Sequence, residues 1–87
     1  MSISELVQNF GRGATRGTAS NKRVRIDGNK LINYDTIIAL RNNDGTIQLN
    51  IRKYSRTTSK LQGLIKHYTN VTTEFYGDNA TIYYSWN

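Results

Sequence analysis

Residues 36–68 read TIIALR-NNDG-TIQLNIR-KYSRTTSKLQGLIKHY. Residues 36–41 are a nearly continuous apolar run and read as a buried strand. Asn42-Asn43-Asp44-Gly45 is a strong hairpin signal, because Asn, Asp and Gly tolerate the backbone angles of tight turns. Residues 46–52 then alternate, with Ile47, Leu49 and Ile51 on one face. A few residues later the period changes. Leu61, Leu64, Ile65 and Tyr68 fall at i, i+3, i+4 and i+7, one stripe of an amphipathic helix over residues 58–68. Ser55, Thr57 and Thr58 are its candidate N-caps.

Upstream, Val24 and Ile26 alternate with Arg23 and Arg25. Asp27-Gly28-Asn29 turns the chain, and Leu31 and Ile32 lead to Tyr34. The opening Ser2-Ile3-Ser4-Glu5 has capping-box form. Ile3, Leu6, Val7 and Phe10 follow at helical spacing, so a helix is expected over 3–10, with Gly11 as its stop. Between them, residues 11–21 (GRGATRGTASN) carry no apolar periodicity and read as a flexible Gly/Arg loop. Downstream, Val71, Thr73 and Phe75 alternate, Gly77-Asp78-Asn79 turns, and residues 80–86 alternate back, which predicts a terminal hairpin. The expected architecture is a single α+β domain over residues 1–87. It has an antiparallel sheet of five to six strands and two helices on one face, in the order helix, meander, helix, hairpin. Leu6, Phe10, Ile26, Ile38, Leu40, Leu49, Leu61, Leu64, Ile65 and Phe75 are the expected core.

Composition narrows the function. The 87 residues hold 12 Lys and Arg against 6 Asp and Glu, a net charge of +6, with no cysteine and no proline. A disulfide framework and thiolate metal sites are thereby excluded. Mean hydropathy is −0.61, no apolar run approaches the ~20 residues of a membrane span, and residues 1–10 lack the form of a signal peptide. A small, soluble, basic domain is expected, with its redox compartment left open.

The charge is concentrated. Arg12, Arg16, Lys22, Arg23, Arg25 and Lys30 face only Asp27 within residues 11–30, and Arg52, Lys53, Arg56, Lys60 and Lys66 face no acid within residues 51–70. Two basic segments therefore carry the whole excess, which reads either as a surface for phosphate or an acidic partner or as a solvated face that keeps a small protein soluble. The segment Tyr54-Ser55-Arg56-Thr57-Thr58-Ser59-Lys60 places hydroxyls and cations at a helix start, whose unpaired N–H groups suit an oxyanion; a well-capped helix explains it equally. Of the aromatic residues, Tyr76 and Tyr83 are expected to be exposed, suited to base stacking or to a protein contact. The binding residues expected are Arg12, Arg16, Arg23, Arg25, Arg52, Lys53, Arg56, Thr57, Lys60 and Tyr83. Catalytic candidates are few. Asp27, Asp44 and Asp78 sit in turns and Glu5 caps a helix, which leaves Asp35, Glu74 and His67. No nucleophile elbow, metal-ligand motif or phosphate loop is present. No catalytic residue, metal or cofactor is expected.

The order GRGATRGTASN (11–21), VRIDGNKLINYDTIIALR (24–41) and YSRTTSK-x-Q (54–62) resembles a family of small uncharacterised phage and prophage proteins of low-GC bacteria. The matching positions are Gly13, Ala14, Thr15, Ser20, Ile26, Gly28, Leu31, Tyr34, Ile38, Ala39, Arg41, Tyr54, Ser55, Thr57, Thr58 and Gln62. The resemblance implies a phage-encoded accessory protein of the host cytoplasm. By analogy with CRISPR inhibitors, the expectation is a non-enzymatic protein that binds and inhibits or modulates a host nucleoprotein or nuclease complex through a basic surface. The alternative is direct DNA or RNA binding. No membrane or small-molecule partner is expected, and a homo-oligomer is open.

Overall fold

The computed structural model describes residues 1–78. The chain runs α1 (Ile3–Gly11), β1 (Arg16–Thr18), β2 (Val24–Asp27), β3 (Lys30–Asn33), β4 (Thr36–Arg41), β5 (Ile47–Asn50), α2 (Arg56–Tyr68) and β6 (Val71–Phe75). The α+β class is as expected. The six strands lie in sequence order, β1 at one edge and β6 at the other.

The capping box forms: Ser2 Oγ accepts from Glu5 N at 3.1 Å, and Ser2 N donates to Glu5 Oε1 at 3.4 Å. Leu6, Val7 and Phe10 of α1 and Leu61 and Ile65 of α2 join Val24, Ile26, Leu31, Ile38, Ala39, Ile47 and Leu49 in one buried cluster. Both helices therefore cover the same face of the sheet. Each of the larger side chains, Ala39 apart, contributes roughly 1.5–3 kcal/mol through burial. Register shifts between Leu31 and Ile32 against β4, where Leu31 faces Ala39 and Ile32 faces Ile37. That irregularity lets the consecutive Ile38 and Ala39 both enter the cluster.

Three expectations are corrected. The segment 11–21 contains a strand, β1, paired with β2 from Arg16↔Asp27 to Thr18↔Arg25. Arg-Gly-Thr carries no apolar signal. The strand is held by its ladder and by the close approach of Gly17 to the core, where a Cβ would stand 2.9 Å from Leu6 Cδ1. Second, the sheet is mixed. β6 runs parallel to β5, Ile47↔Val71 to Asn50↔Phe75. The 13 residues of α2, about 20 Å of helix, carry the chain back along the sheet so that β6 starts beside the start of β5. A crossover of this kind gives a parallel pair. The expected return strand of the terminal hairpin, with Tyr83, lies outside the described residues. Third, the core has other members: Val7, Val24, Leu31, Ile32, Ile37, Ala39 and Ile47 join it, and three expected residues do not. Leu40, Leu64 and Phe75 are half-buried, Tyr68 and Ile51 exposed. Leu40 faces Gln48 and Lys30 across the ladders, away from the helices. Ile51 lies past the last residue of β5 and so leaves the alternation.

Arg41, outside both basic segments, has a structural role. Its Nη1 donates to Phe10 O at 2.8 Å and Ala14 O at 2.9 Å, its Nη2 donates to Gly28 O at 3.3 Å, and the guanidinium lies 5.0 Å from the Phe10 ring centre. A cation here reinforces Phe10 O, which also accepts from Gly13 N at 3.1 Å, and complements the partial negative charge at the C-terminal end of α1.

Candidate functional site

The register of the sheet sorts the cations. β2 begins where β3 ends, at Val24↔Asn33, and β4 begins opposite Asn33, at Thr36. β5 and β6 finish together at Asn50↔Phe75, and α2 starts after the segment that follows β5. One end of the sheet therefore gathers Arg23, the Tyr34–Asp35 turn, residues 51–55, the first turn of α2 and residues 76–78. The opposite end holds Arg16↔Asp27, Arg41↔Ile47 and the C-terminus of α1 that Arg41 binds. Arg23, Arg25, Arg52, Lys53, Arg56, Thr57 and Lys60 thus belong to the first end. Arg12 and Arg16, which share a sequence segment with Arg23 and Arg25, belong to the other.

At the first end the two basic segments meet through Asn33 and Tyr34. Arg23 Nη1 donates to Tyr34 Oη at 3.2 Å, and Arg25 Nη1 donates to Tyr34 O at 2.8 Å. Next door, the buried Asn33 Nδ2 donates to Thr58 Oγ1 at 3.0 Å. Ser55 Oγ caps Thr58 N at 3.2 Å. The helix start therefore carries the Ser55 cap that the well-capped alternative required. Arg56, Thr57 and Lys60 stand exposed around it.

Tyr34 occupies an unusual position. The turn joining β3 to β4 has two residues, Tyr34 and Asp35, and Tyr34 has φ +57°. That region crowds any Cβ and holds a bulky residue at a cost of about 1–3 kcal/mol. The ring is not buried in return: Tyr34 is 58 % exposed. Its side chain contacts Arg23, whose guanidinium lies 5.8 Å from the ring centre.

A second aromatic cluster surrounds Arg52. Its guanidinium lies 5.8 Å from the Tyr54 ring centre and 5.6 Å from that of Tyr76, and its Nη1 donates to Gly77 O at 3.1 Å. Beneath it lies the fully buried Asn50. Asn50 Nδ2 donates to Ile37 O at 3.0 Å and to Tyr54 Oη at 2.9 Å, while Oδ1 accepts from Arg52 N and Gly77 N, both at 3.0 Å. Gln62 of α2 donates to the carbonyls of Asn50 and Arg52, at 2.7 and 2.9 Å. Every polar atom of the Asn50 side chain is used, and the segment that presents Arg52 is tied to the sheet, to α2 and to the chain after β6. Tyr76 is 69 % exposed, as expected. Lys53 lines a groove beside α2 with Ile51, Gln62, Gly63 and Lys66.

Sequence reading named the cations but missed Tyr34, Asn50 and Gln62. The available signal for Tyr34 was an aromatic residue in a two-residue turn between apolar runs. For Asn50 it was a lone amide at the close of an alternating strand.

The catalytic candidates have ordinary surroundings. Glu74 pairs with Lys66 at 3.1 Å, both half-exposed. His67 is exposed and packs edge-on against Tyr68. Asp35 is exposed in its turn. Among the described residues, no three His, Cys, Asp or Glu side chains form a group suited to a metal ion, and no helix is long and apolar enough to cross a membrane. Compared with known proteins, the chain matches no protein-family model, no curated protein and no solved structure.

Proposed function

We propose that this chain is a non-enzymatic accessory protein that binds a nucleic-acid strand, and that it does so with the Arg–Tyr end of its sheet. The observation that carries the reading is convergence. Arg23 and Arg25, from one basic segment, and Arg52, Arg56 and Lys60, from the other, lie at one end of the molecule, interleaved with exposed Tyr34, Tyr54 and Tyr76. Guanidinium groups match phosphate oxygens in charge and geometry, and tyrosine rings offer faces to bases. In a phage-type accessory protein, such binding acts by occlusion: a strand held here is withheld from a host nucleic-acid machine.

The test compares two double charge reversals of equal size. Arg56→Glu with Lys60→Glu alters the proposed end, and Arg12→Glu with Arg16→Glu alters the opposite one. All four side chains are exposed. Fluorescence anisotropy with a labelled oligothymidylate, across a salt series, should give a linear log–log dependence in the parent chain. The first pair should weaken binding and flatten the slope, and the second should change affinity far less. Equal losses from both pairs would reduce the site to diffuse charge. Retention on a host protein after nuclease treatment, without affinity for free strands, would replace the reading with a protein-directed inhibitor.

A further inference from the structure

We propose that Tyr34 is a stacking platform for an unpaired base, so that this end of the sheet takes single-stranded nucleic acid in preference to duplex. The inference rests on the nucleic-acid reading and narrows it to one class of strand.

Tyr34 is costly where it stands, and its ring is not spent on the core. Its φ of +57° is one that Gly or Asn adopts with little strain and Tyr does not. The turn itself needs no aromatic ring, and Tyr34 takes no part in the buried cluster. The ring is nonetheless fixed. Arg23 grips it by the hydroxyl, at 3.2 Å, and Arg25 grips the carbonyl of the same residue, at 2.8 Å. Held at its hydroxyl edge and 58 % exposed, the ring offers its apolar surface to solvent. An aromatic group that is strained, oriented and unburied is preorganised for a contact that the folded chain alone does not make.

The neighbouring chemistry identifies that contact. A flat π surface flanked by guanidinium groups fits a nucleobase and the phosphate attached to it. In a duplex the faces of the bases are covered by their neighbours, and protein side chains reach only the edges. A ring on a protruding turn therefore stacks only on bases that are unpaired, in a single strand or a loop. Arg52, placed between Tyr54 and Tyr76, repeats the same pairing of cation and ring at this end of the sheet.

The experiment uses the full chain, a labelled oligothymidylate and a labelled blunt duplex, with thermal melting of every variant. Tyr34→Gly removes the ring and relieves the backbone. It should melt no lower than the parent chain and bind oligothymidylate roughly tenfold more weakly or worse, with a much smaller change for duplex. Tyr34→Asn, which also tolerates the turn, serves if the glycine variant folds poorly. Tyr34→Phe, which keeps the ring and loses only the hydroxyl, should recover most of the affinity. Three results would overturn the proposal. If the glycine and asparagine variants bind oligothymidylate like the parent while Arg56→Glu with Lys60→Glu does not, the strand is held by charge alone and only the stacking role falls. Duplex binding as tight as single-strand binding overturns the strand preference. If the parent chain binds neither probe, the nucleic-acid reading falls with it.

Discussion

Asn33 and Thr58, separated by 25 residues, meet side chain to side chain in the protein interior, amide nitrogen to hydroxyl at 3.0 Å. The bond joins the end of β3 to the first turn of α2. It thereby fixes Tyr34, and the two arginines that grip it, relative to Arg56 and Lys60.

Replacing Asn33 by Ala should cost about 1–2 kcal/mol, the value of one buried hydrogen bond and some packing. The cost stays modest because Thr58 Oγ1 keeps Ser55 Oγ at 3.2 Å. In a domain of this size that is a drop in melting temperature of roughly 5–15 °C. Strand affinity, measured well below the melting point, should fall as well, because the two cationic groups lose their common anchor. A variant that melts lower yet binds like the parent would show that the bond serves stability alone.

Gly77→Ala should be the more damaging change. Gly77 is buried, and a Cβ there would lie 2.5 Å from Asn50 Nδ2 and collide with the Tyr54 hydroxyl. The exposed Tyr54 can swing its hydroxyl aside, but Asn50 cannot yield as readily, being held by four hydrogen bonds. Overpacking of this kind costs about 1–3 kcal/mol, and here it also displaces the carbonyl that Arg52 grips. Thermal melting and oligothymidylate anisotropy should both register the change. Unaltered melting would mean that the segment after β6 does not pack as described.

Gly63 offers the opposite expectation. It lies inside α2, exposed, and a methyl group placed on its Cα would meet nothing within 4 Å. Gly63→Ala should stabilise the protein by about 0.5–1 kcal/mol, since alanine is the better helix residue and restricts the unfolded chain. Denaturant unfolding should show a higher midpoint with an unchanged slope. A lower midpoint would indicate that the groove beside Gly63 closes on the new methyl group.

The turn between β4 and β5 should respond to acid. Asp44 accepts from the Thr46 hydroxyl at 2.5 Å and from Thr46 N at 2.9 Å, and these bonds hold its carboxyl below the ordinary carboxylate range. A lowered folded pKa favours the native turn at every pH above the ordinary value. That contribution is lost only as pH falls through the lowered one. The amide resonance of Thr46 should therefore hold steady at neutral pH and shift in strong acid, at a lower pH than an unstructured Asp would show. Asp44→Asn should abolish the transition.

Local pattern made much of this fold legible. The capping box at Ser2 and Glu5, the Asn-Asn-Asp-Gly turn and the Leu61–Ile65 stripe each depend on neighbours a few residues away, and each appears where the sequence places it. β1 escaped notice because Arg16, Gly17 and Thr18 are recruited by the backbone of β2 and not by burial of their own side chains. The direction of β6 escaped because alternation at Val71, Thr73 and Phe75 is the same in parallel and antiparallel strands. The site was legible as a list of cations, not as a place. Arg16 and Arg23 are seven residues apart in sequence and lie at opposite ends of the sheet, a fact of register that composition does not carry.

The parallel pairing of β6 also bears on how the molecule assembles. β1 to β4 each pair with the next strand in sequence through a short connection, so loop closures are short and the meander can zip from its turns. β6 closes a longer loop, because Ile47 meets Val71 across the whole of α2. Its docking brings Tyr76 and Gly77 to Arg52 and completes that half of the surface. Hydrogen exchange of the native chain should therefore show the amides of β2 to β4 more strongly protected than those of β6. Local opening at that edge would leave Tyr34 with its arginines in place while the cluster around Arg52 came apart.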